Sequence, residues 1–231
     1  MKILSIIIPV YNEKDTILAV LKRIGAIDIG LDKQIIIIDD GSTDGSQEIL
    51  DNVSRKYKVI LKKQNEGKGA AVKEGLLAST GDYVLIQDAD LEYNPADYSA
   101  LLSPLLEDLA DVVYGSRFVG GQPHRVLYFW HYVGNKFITT LSNMFTNLNL
   151  TDMETGYKAF NRSVVDAIKN KVCAKRFGIE PEITALVANL NFRIYEVGIS
   201  YQGRSYEQGK KITARDGFAA IYYILKHGLF R

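Results

Sequence analysis

The chain has 231 residues, of which 47% are hydrophobic and 24% charged, values typical of a globular protein with a sizeable core. A net charge of +1 excludes the broad basic face of a nucleic-acid-binding protein, and a single cysteine excludes a disulfide framework and a Cys/His zinc site. The N-terminal apolar run contains Pro9 and no segment reaches the ~20 apolar residues of a spanning helix, so we expect a cytosol-facing protein.

The first 115 residues alternate between strand and helix patterns. The predicted elements are a strand at 3–8, a helix at 15–25, a strand at 34–38, a helix at 46–56, a strand at 58–61, a helix at 68–79 and a strand at 83–87. Strands that are apolar on both faces and are joined by helices form parallel sheets that are covered on both sides. We therefore predict an α/β fold with a mostly parallel central sheet and helices on both faces.

Polar residues follow three of these strands at their carboxyl ends, where parallel sheets bind ligands. They are the segments 9–13, 39–42 and 88–90. Asp88 and Asp90 are suited to Mg²⁺ or Mn²⁺, which bind a few carboxylates together with phosphate oxygens. Turn formation alone would explain one acidic pair, but it does not explain three clusters at one edge. Residues 65–69 form a glycine-rich turn that opens a helix; such a turn can bind phosphate, but a plain turn and helix start is the interpretation we favour.

The second half departs from this regular alternation. A strand at 111–114 leads into Gly115-Ser116-Arg117, and apolar residues at three- to four-residue spacing predict a helix at 126–148. We predict that its apolar stripe is core, namely Trp130, Val133, Phe137, Leu141, Phe145 and Leu148. The segments 126–130 and 218–225 are apolar nearly all round, which leaves a surface for a lipid or a partner.

Charge is divided unevenly between the two halves. The first 111 residues hold 12 Lys and Arg against 19 Asp and Glu, and the other 120 residues hold 16 against 8. An acidic half that can hold a cation, facing a basic half that can hold phosphates, is typical of a cleft for phosphate-bearing substrates.

Several motifs make the chain resemble family 2 glycosyltransferases with the GT-A fold. They are IIPVYNE at 7–13, DDGSTD at 39–44 and QDAD at 87–90. Later motifs look like the branch that makes dolichyl- or polyprenyl-phosphate sugars, namely YGSRF at 114–118, DMETGYK at 152–158 and RSYEQGK at 204–210. The resemblance implies one GT-A catalytic domain over 1–231, with a Rossmann-like nucleotide-binding half at 1–115 and an acceptor-binding half with interfacial helices at 116–231. The chain departs from the branch at Gly156, where Cys or another side chain is expected.

The resemblance also implies a role for each matching residue. The nucleoside would be held by Pro9, Tyr11, Glu13, Ile38 and Asp40, with Asp40 beside the base. Asp88 and Ala89 would line the ribose and diphosphate. Asp90 would ligate Mg²⁺ or Mn²⁺, with Glu92 as a second ligand. Phosphates of donor or acceptor would contact Arg117, Arg125, Arg204 and Lys210, and catalysis would depend on Asp90, Arg117 and Arg204.

The chemistry of the acceptor favours a lipid phosphate. A hydroxyl acceptor needs a general base, whereas a phosphate arrives ionised and needs cations beside it. We therefore predict a metal-dependent inverting transferase that moves a hexose from GDP-mannose or UDP-glucose to polyprenyl or dolichyl phosphate. We expect it on the cytosolic face of a membrane, bound peripherally to the surface or to an anchoring partner, with no nucleic-acid partner.

Three alternatives remain open. A family 2 enzyme that glycosylates a saccharide hydroxyl in cell-surface polysaccharide synthesis would need a carboxylate base, for which Asp152 and Glu154 are candidates. A nucleotidyltransferase that makes nucleotide sugars would carry a glycine-rich signature after the first strand, where this chain has Tyr11-Asn12-Glu13. A non-catalytic nucleotide-binding module would not be expected to retain the acidic and basic motif residues together.

Overall fold

The computed structural model describes residues 1–120, 125–126, 128–204 and 214–229. Within them, seven strands form one sheet in the order β3-β2-β1-β4-β6-β5-β7. The strands are β1 (Ile3–Val10), β2 (Asp32–Asp39), β3 (Lys58–Leu61), β4 (Tyr83–Ile86), β5 (Val112–Ser116), β6 (Lys158–Asn161) and β7 (Ile194–Gly198). The helices are α1 (Ile17–Ala26), α2 (Ser46–Val53), α3 (Lys68–Ala78), α4 (Tyr98–Leu106), α5 (Phe129–Thr146), α6 (Arg162–Ile168), α7 (Ile179–Asn189) and α8 (Ala214–Leu229).

The sheet is parallel except for β6, which runs antiparallel to both β4 and β5. The predicted α/β fold with a mostly parallel sheet is confirmed. Because β6 is reversed, its first residue, Lys158, lies opposite Ile86 at the end of β4. The segment that precedes β6 therefore reaches the same edge as the carboxyl ends of β1, β2 and β4. The segment that follows β7 leaves from this edge too, since Gly198 pairs with Ser116.

Element boundaries differ from the predictions where pairing or capping overrides the apolar pattern. β2 begins two residues earlier than predicted, because its pairing with β1 continues to Asp32 opposite Ile3. α5 ends earlier because Asn147 adopts the left-handed conformation, with φ +55°, and its N–H donates to the carbonyl of Asn143. Asn at such a position is a common helix terminator.

Two hydrophobic cores cover the two faces of the sheet. Ile6 and Ile8 of β1 face the core beneath α1, α2 and α4, and Ile7 between them faces the core beneath α3, α6 and α7. Side chains alternate between the faces of a strand, so a strand that is buried on both sides is apolar at every position. This explains the continuous apolar runs in the first half of the chain.

The prediction that the apolar stripe of α5 is core is wrong for the first half of the helix. Trp130 and Phe137 are 78% and 59% exposed, and Val133 is exposed as well. Leu141, Phe145 and Leu148 do pack against the second core. Ile138 and Phe145 of α5 lie beside Gly217 and Gly228 of α8, so α8 packs along the later turns of α5. None of the helices in the described residues is long and apolar enough to cross a bilayer.

Candidate active site

Hydrogen bonds join the loops that follow β1 and β2. The Ser42 Oγ accepts from the Asn12 N–H at 2.9 Å, and the Ser46 Oγ accepts from the Glu13 N–H at 3.0 Å. The Asn12 Oδ1 accepts in turn from the Thr43 N–H at 2.8 Å. Asn12 has φ +52°, a left-handed conformation that Asn tolerates. Short polar residues at 42–46 thus hold Asn12 and Glu13 in place.

Asp40 is almost fully buried at the end of β2. Its Oδ1 accepts from the Lys62 Nζ at 2.8 Å, and its Oδ2 accepts from the Gly67 N–H at 2.6 Å. The next residue, Gly41, has φ +72°, and a Cβ there would lie 2.6 Å from the backbone of Gln64. The carboxylate therefore ties the loop between β3 and α3 to this edge. Its role beside a nucleobase stays a prediction.

The other residues predicted around the nucleoside differ in what they offer a ligand. Tyr11 is exposed just after β1, and Pro9 is partly buried within it. The side chains of Ile38 and Ala89 are buried in the two cores on opposite faces of the sheet. A ligand at this edge could therefore contact only the backbone of Ile38 and Ala89.

β4 ends in a turn that presents two carboxylates. Leu91 has φ +64°, an uncommon conformation for a bulky residue that tends to occur at functional sites. The Asp90 Oδ1 accepts from the Glu92 N–H at 3.2 Å, and a quarter of the Asp90 side chain is exposed. Asp88 forms an ion pair with Lys68, with its Oδ1 2.8 Å from the Nζ.

Gly156 lies directly against Asp88. A Cβ at this position would clash with the Asp88 Oδ2, and the Gly156 N–H donates to the Tyr93 Oη at 2.8 Å. The side chain expected here from the resemblance would therefore require the Asp88 carboxylate to shift.

Residues 199–204, which follow β7, form a strap across the turn after β4. The Glu92 Oε1 accepts from the Arg204 N–H and its Oε2 accepts from the Tyr201 Oη, both at 2.6 Å. Arg125 also holds the strap, since its N–H donates to the Tyr201 carbonyl at 2.9 Å and its Nη1 donates to a strap carbonyl at 3.0 Å. Glu92 and Arg125 therefore both contact the strap. Their predicted metal and phosphate roles stay predictions.

The strap brings Arg204 to carboxylates from two strand ends. The Arg204 Nη2 lies 2.9 Å from the Glu13 Oε1 and 3.6 Å from the Asp90 Oδ2. Three of the predicted site residues, far apart in the sequence, thus meet at one edge of the sheet. Lys210, predicted to contact phosphate from the same motif, lies outside the described residues.

Arg117 is held by Asp152. The Arg117 Nε donates to the Asp152 Oδ2 at 2.6 Å, the Nη2 donates to the Oδ1 at 2.7 Å, and the backbone N–H donates to the Oδ2 at 3.0 Å. Asp152 is fully buried. Burial opposes the charge of Arg117, but Asp152 raises the pKa of the guanidinium above its ordinary value. The pair uses two of the five guanidinium N–H groups, which leaves three for a ligand.

Sequence reasoning missed Lys68 and Glu180. The Lys68 Nζ lies between the Asp88 Oδ1 at 2.8 Å and the Glu180 Oε1 at 3.0 Å. Burial opposes the charge of Lys68, but these two carboxylates raise its pKa well above the ordinary value. The glycine-rich turn at 65–69 is a sequence signal for Lys68, although a plain helix start explains that turn equally well. Glu180 lies in α7, for which the sequence suggested no role.

Glu154 and Lys158 lie behind the site. Burial raises the pKa of Glu154 and lowers that of Lys158. The Glu154 Oε1 is buried without a hydrogen-bond partner, and the Lys158 Nζ donates to the carbonyls of Met153 and Thr155. Lys158 is fully buried, whereas Glu154 is partly exposed although its Oε1 is enclosed.

The carboxylates at this edge fit a divalent cation that is shared with a phosphate ligand. Asp90 offers partly exposed oxygens, whereas both Glu92 oxygens are engaged by the strap. Across the described residues, His, Cys, Asp and Glu form no cluster of three or more that could hold a metal. Mg²⁺ is usually held by one or two carboxylates with substrate phosphates and waters, which is the arrangement that Asp90 can support.

The protein-family model for glycosyl transferase family 2 matches residues 5–169, which include the ends of β1, β2 and β4. The chain belongs to this family. The prediction of a family 2 glycosyltransferase is therefore confirmed.

Two relatives match almost the whole chain. It is 26% identical to the UDP-N-acetylglucosamine–dolichyl-phosphate N-acetylglucosaminyltransferase of Methanococcus voltae, over 97% of this chain and 95% of the relative. It is 28% identical to the dolichol-phosphate mannosyltransferase of Pyrococcus furiosus, over 96% of this chain and 63% of the relative. The chain thus spans less than two thirds of the second relative's length. The predicted resemblance to dolichyl-phosphate sugar transferases is confirmed.

A solved structure confirms the GT-A fold. It is glucosyl-3-phosphoglycerate synthase from Mycobacterium tuberculosis in complex with Mn²⁺, UDP and phosphoglyceric acid. The TM-score is 0.76 at 20% identity, covering 98% of this chain and 78% of that chain.

Proposed function

We propose that this glycosyltransferase moves a hexose from a nucleotide sugar to a polyprenyl phosphate, with inversion at the anomeric carbon. Residues 1–115 would bind the donor and residues 116–231 the acceptor phosphate. The names of the Methanococcus and Pyrococcus relatives, which specify dolichyl or dolichol phosphate, support this acceptor class. The donor candidates are GDP-mannose and UDP-glucose, to which the Methanococcus relative adds UDP-N-acetylglucosamine.

The observation that carries the proposal is the Arg117–Asp152 pair. Transfer to a hydroxyl needs a carboxylate that can reach the acceptor proton. Asp152 is fully buried and both of its oxygens bind Arg117, and the Glu154 Oε1 is shielded as well. Of the two candidate bases for a hydroxyl acceptor, Asp152 is thus fully occupied and Glu154 has one oxygen enclosed, whereas Arg117 retains N–H groups for an anionic acceptor.

The donor side follows from the charges at the strand ends. Asp90 would hold Mg²⁺ or Mn²⁺, which when bound neutralises charge on the departing nucleoside diphosphate. Lys68 and Arg204 place two further cations at the same edge. The acceptor phosphate oxygen attacks the anomeric carbon as the bond to the diphosphate oxygen breaks, and Arg117 orients the attacking phosphate.

The acceptor class is tested by comparing a short polyprenyl phosphate with free sugars. We expect transfer from one of the three donors to the lipid phosphate, and none to a sugar hydroxyl, because the cleft offers cations in place of a base. Glu154→Gln should retain most of the activity. Chromatography of products from radiolabelled donors measures both reactions. Robust transfer to a free sugar that is lost in Glu154→Gln or Asp152→Asn, yet spared in Arg117→Ala, would contradict the lipid-phosphate assignment.

A lipid acceptor requires that the chain meet a membrane, and we propose that α5 and α8 provide the contact. Both helices leave large apolar side chains exposed, and the most exposed aromatic ones are Phe129, Trp130, Phe218 and Tyr222. Lys226 lies in the last turn of α8, where it could meet anionic headgroups at about 1 kcal/mol per basic residue. Of the predicted apolar segments 126–130 and 218–225, residue 127 lies outside the described residues. The proposed location is peripheral, on the cytosolic face.

Replacing both Phe129 and Trp130 with Ser is expected to weaken binding to anionic liposomes at least about tenfold, since each buried aromatic side chain contributes roughly 1.5–3 kcal/mol. Co-sedimentation measures the effect. The unfolding midpoint should not fall, because both side chains are exposed. The matched control replaces Leu18 and Leu77, exposed on α1 and α3, and should bind like the unmodified chain. Equal binding by both double variants would refute the proposed contact.

A further inference from the structure

The Lys68 ammonium is held between carboxylates from the two halves of the chain. Asp88, at the end of β4, binds it through both oxygens, at 2.8 and 3.1 Å. Glu180, in the first turn of α7, binds it through Oε1 at 3.0 Å. About one sixth of the Lys68 side chain is exposed, which is enough for contact with a ligand beside Asp88.

Glu180 is the more deeply buried of the two carboxylates that hold Lys68. Only 5% of its surface is exposed, and its Oε2 has no hydrogen-bond partner among the described residues. A cavity of about 10 Å³, room for roughly one water, lies beside it and is also lined by Lys68, Gly156 and Lys158. A buried carboxylate is costly unless it is paired, and the described ion pair of Glu180 is the one with Lys68. Without Glu180, the long Lys68 side chain would keep only its ion pair with Asp88.

We propose that Glu180 is a positioning residue that holds Lys68 against the donor edge, and that Lys68 so held contacts the donor diphosphate. This rests on the proposed function for the identity of the donor. Glu180 would not itself touch the nucleotide, because the ammonium lies between it and Asp88. A helix of the acceptor half would then control the affinity of the donor half for its nucleotide.

A double-mutant cycle tests this inference by measuring UDP and GDP binding calorimetrically in the presence of Mn²⁺, with no acceptor. Lys68→Ala should weaken binding of the preferred nucleotide about 10- to 150-fold, the usual loss for a charge-assisted hydrogen bond. Glu180→Ala should weaken it roughly 10- to 100-fold, as for residues that orient a ligand-binding group. In the Lys68→Ala background, Glu180→Ala should have no further effect beyond about twofold.

Two further variants separate positioning from general stability. Glu180→Gln should lose less than about fivefold, because its amide oxygen still accepts from Lys68. Glu74→Ala, on the exposed surface of α3, should bind nucleotide like the unmodified chain. If Glu180→Ala does not fold, as judged by circular dichroism, Glu180→Leu, which keeps the volume and removes the acceptor, replaces it in both backgrounds and must again show no effect without Lys68.

The outcomes distinguish this inference from the proposed function. Equal effects of Glu180→Ala with and without Lys68, or no effect at all, would overturn the positioning role and leave the proposed function intact. A coupled cycle in a chain that glycosylates no lipid phosphate would support the positioning role and overturn the proposed acceptor. Binding of neither nucleotide by the unmodified chain would overturn both.

Discussion

Arg117→Ala is expected to lower the rate of transfer to a lipid phosphate about 10- to 150-fold, the cost of losing a charge-assisted hydrogen bond worth ~1.5–3 kcal/mol. It is also expected to lower the free energy of unfolding by roughly 3–5 kcal/mol, because it leaves the buried Asp152 carboxylate without its countercharge. Initial rates and chemical denaturation measure the two effects separately.

A double variant separates loss of contact from loss of fold. Replacing Arg117 with Met and Asp152 with Asn removes the buried charge together with its partner, and the amide can still accept from the backbone N–H at 117. We expect this variant to recover much of the stability and none of the activity. Arg193→Ala, at the opposite edge of the sheet beside Asp111, should leave the transfer rate unchanged. Restored transfer in the double variant would show that Arg117 serves the fold and not the acceptor.

The strand ends could be predicted because they depend on local pattern. Apolar runs followed by short polar residues located the ends of β1, β2 and β4, and parallel strands bring such ends to one edge. The structure adds what the motif residues do within the protein. Asp39, for example, is fully buried and accepts from the N–H groups of Gly41 and Ser42, so one Asp of the pair shapes the turn.

The partners of the cations could not be predicted, because they depend on the path of the chain. The Arg117–Asp152 pair forms because the reversed β6 returns residues 151–157 to the ligand-binding edge. The Lys68–Glu180 pair similarly joins residues 112 positions apart. The residues that neighbour Arg117 or Lys68 in the sequence do not indicate which distant carboxylate will pair with each cation. The basic composition of the second half indicated only that phosphate-binding groups would be found there.

The apolar stripe of α5 illustrates another limit. Periodic spacing identifies which side of a helix is apolar, but a side that faces a core and a side that faces solvent, lipid or a partner have the same spacing. Phe137 and Phe145 belong to one stripe, yet Phe137 is exposed and Phe145 packs against the second core. What covers each turn is determined by the neighbouring helices.

Asp90→Asn is expected to lower transfer by at least about 1000-fold, because a bound cation supplies several kcal/mol of charge stabilisation to the leaving diphosphate. The fold should be unaffected, since Asn has nearly the same shape and the Asp90 side chain is partly exposed. Chelation with excess EDTA should abolish activity of the unmodified chain, and added Mn²⁺ should restore it. Asp51→Asn, on the exposed surface of α2, is the matched control and should behave like the unmodified chain.

Because Asp90 also lies 3.6 Å from Arg204, loss of activity alone does not identify a metal ligand. Glu13→Gln provides the comparison, since it weakens the closer ion pair of Arg204, at 2.9 Å, without changing Asp90. If Asp90 holds the cation, Asp90→Asn should raise the Mn²⁺ concentration needed for half-maximal nucleotide binding, and Glu13→Gln should leave that concentration unchanged. Equal shifts in both variants would assign Asp90 to the positioning of Arg204. Full activity of the unmodified chain in excess EDTA would refute the proposed metal dependence.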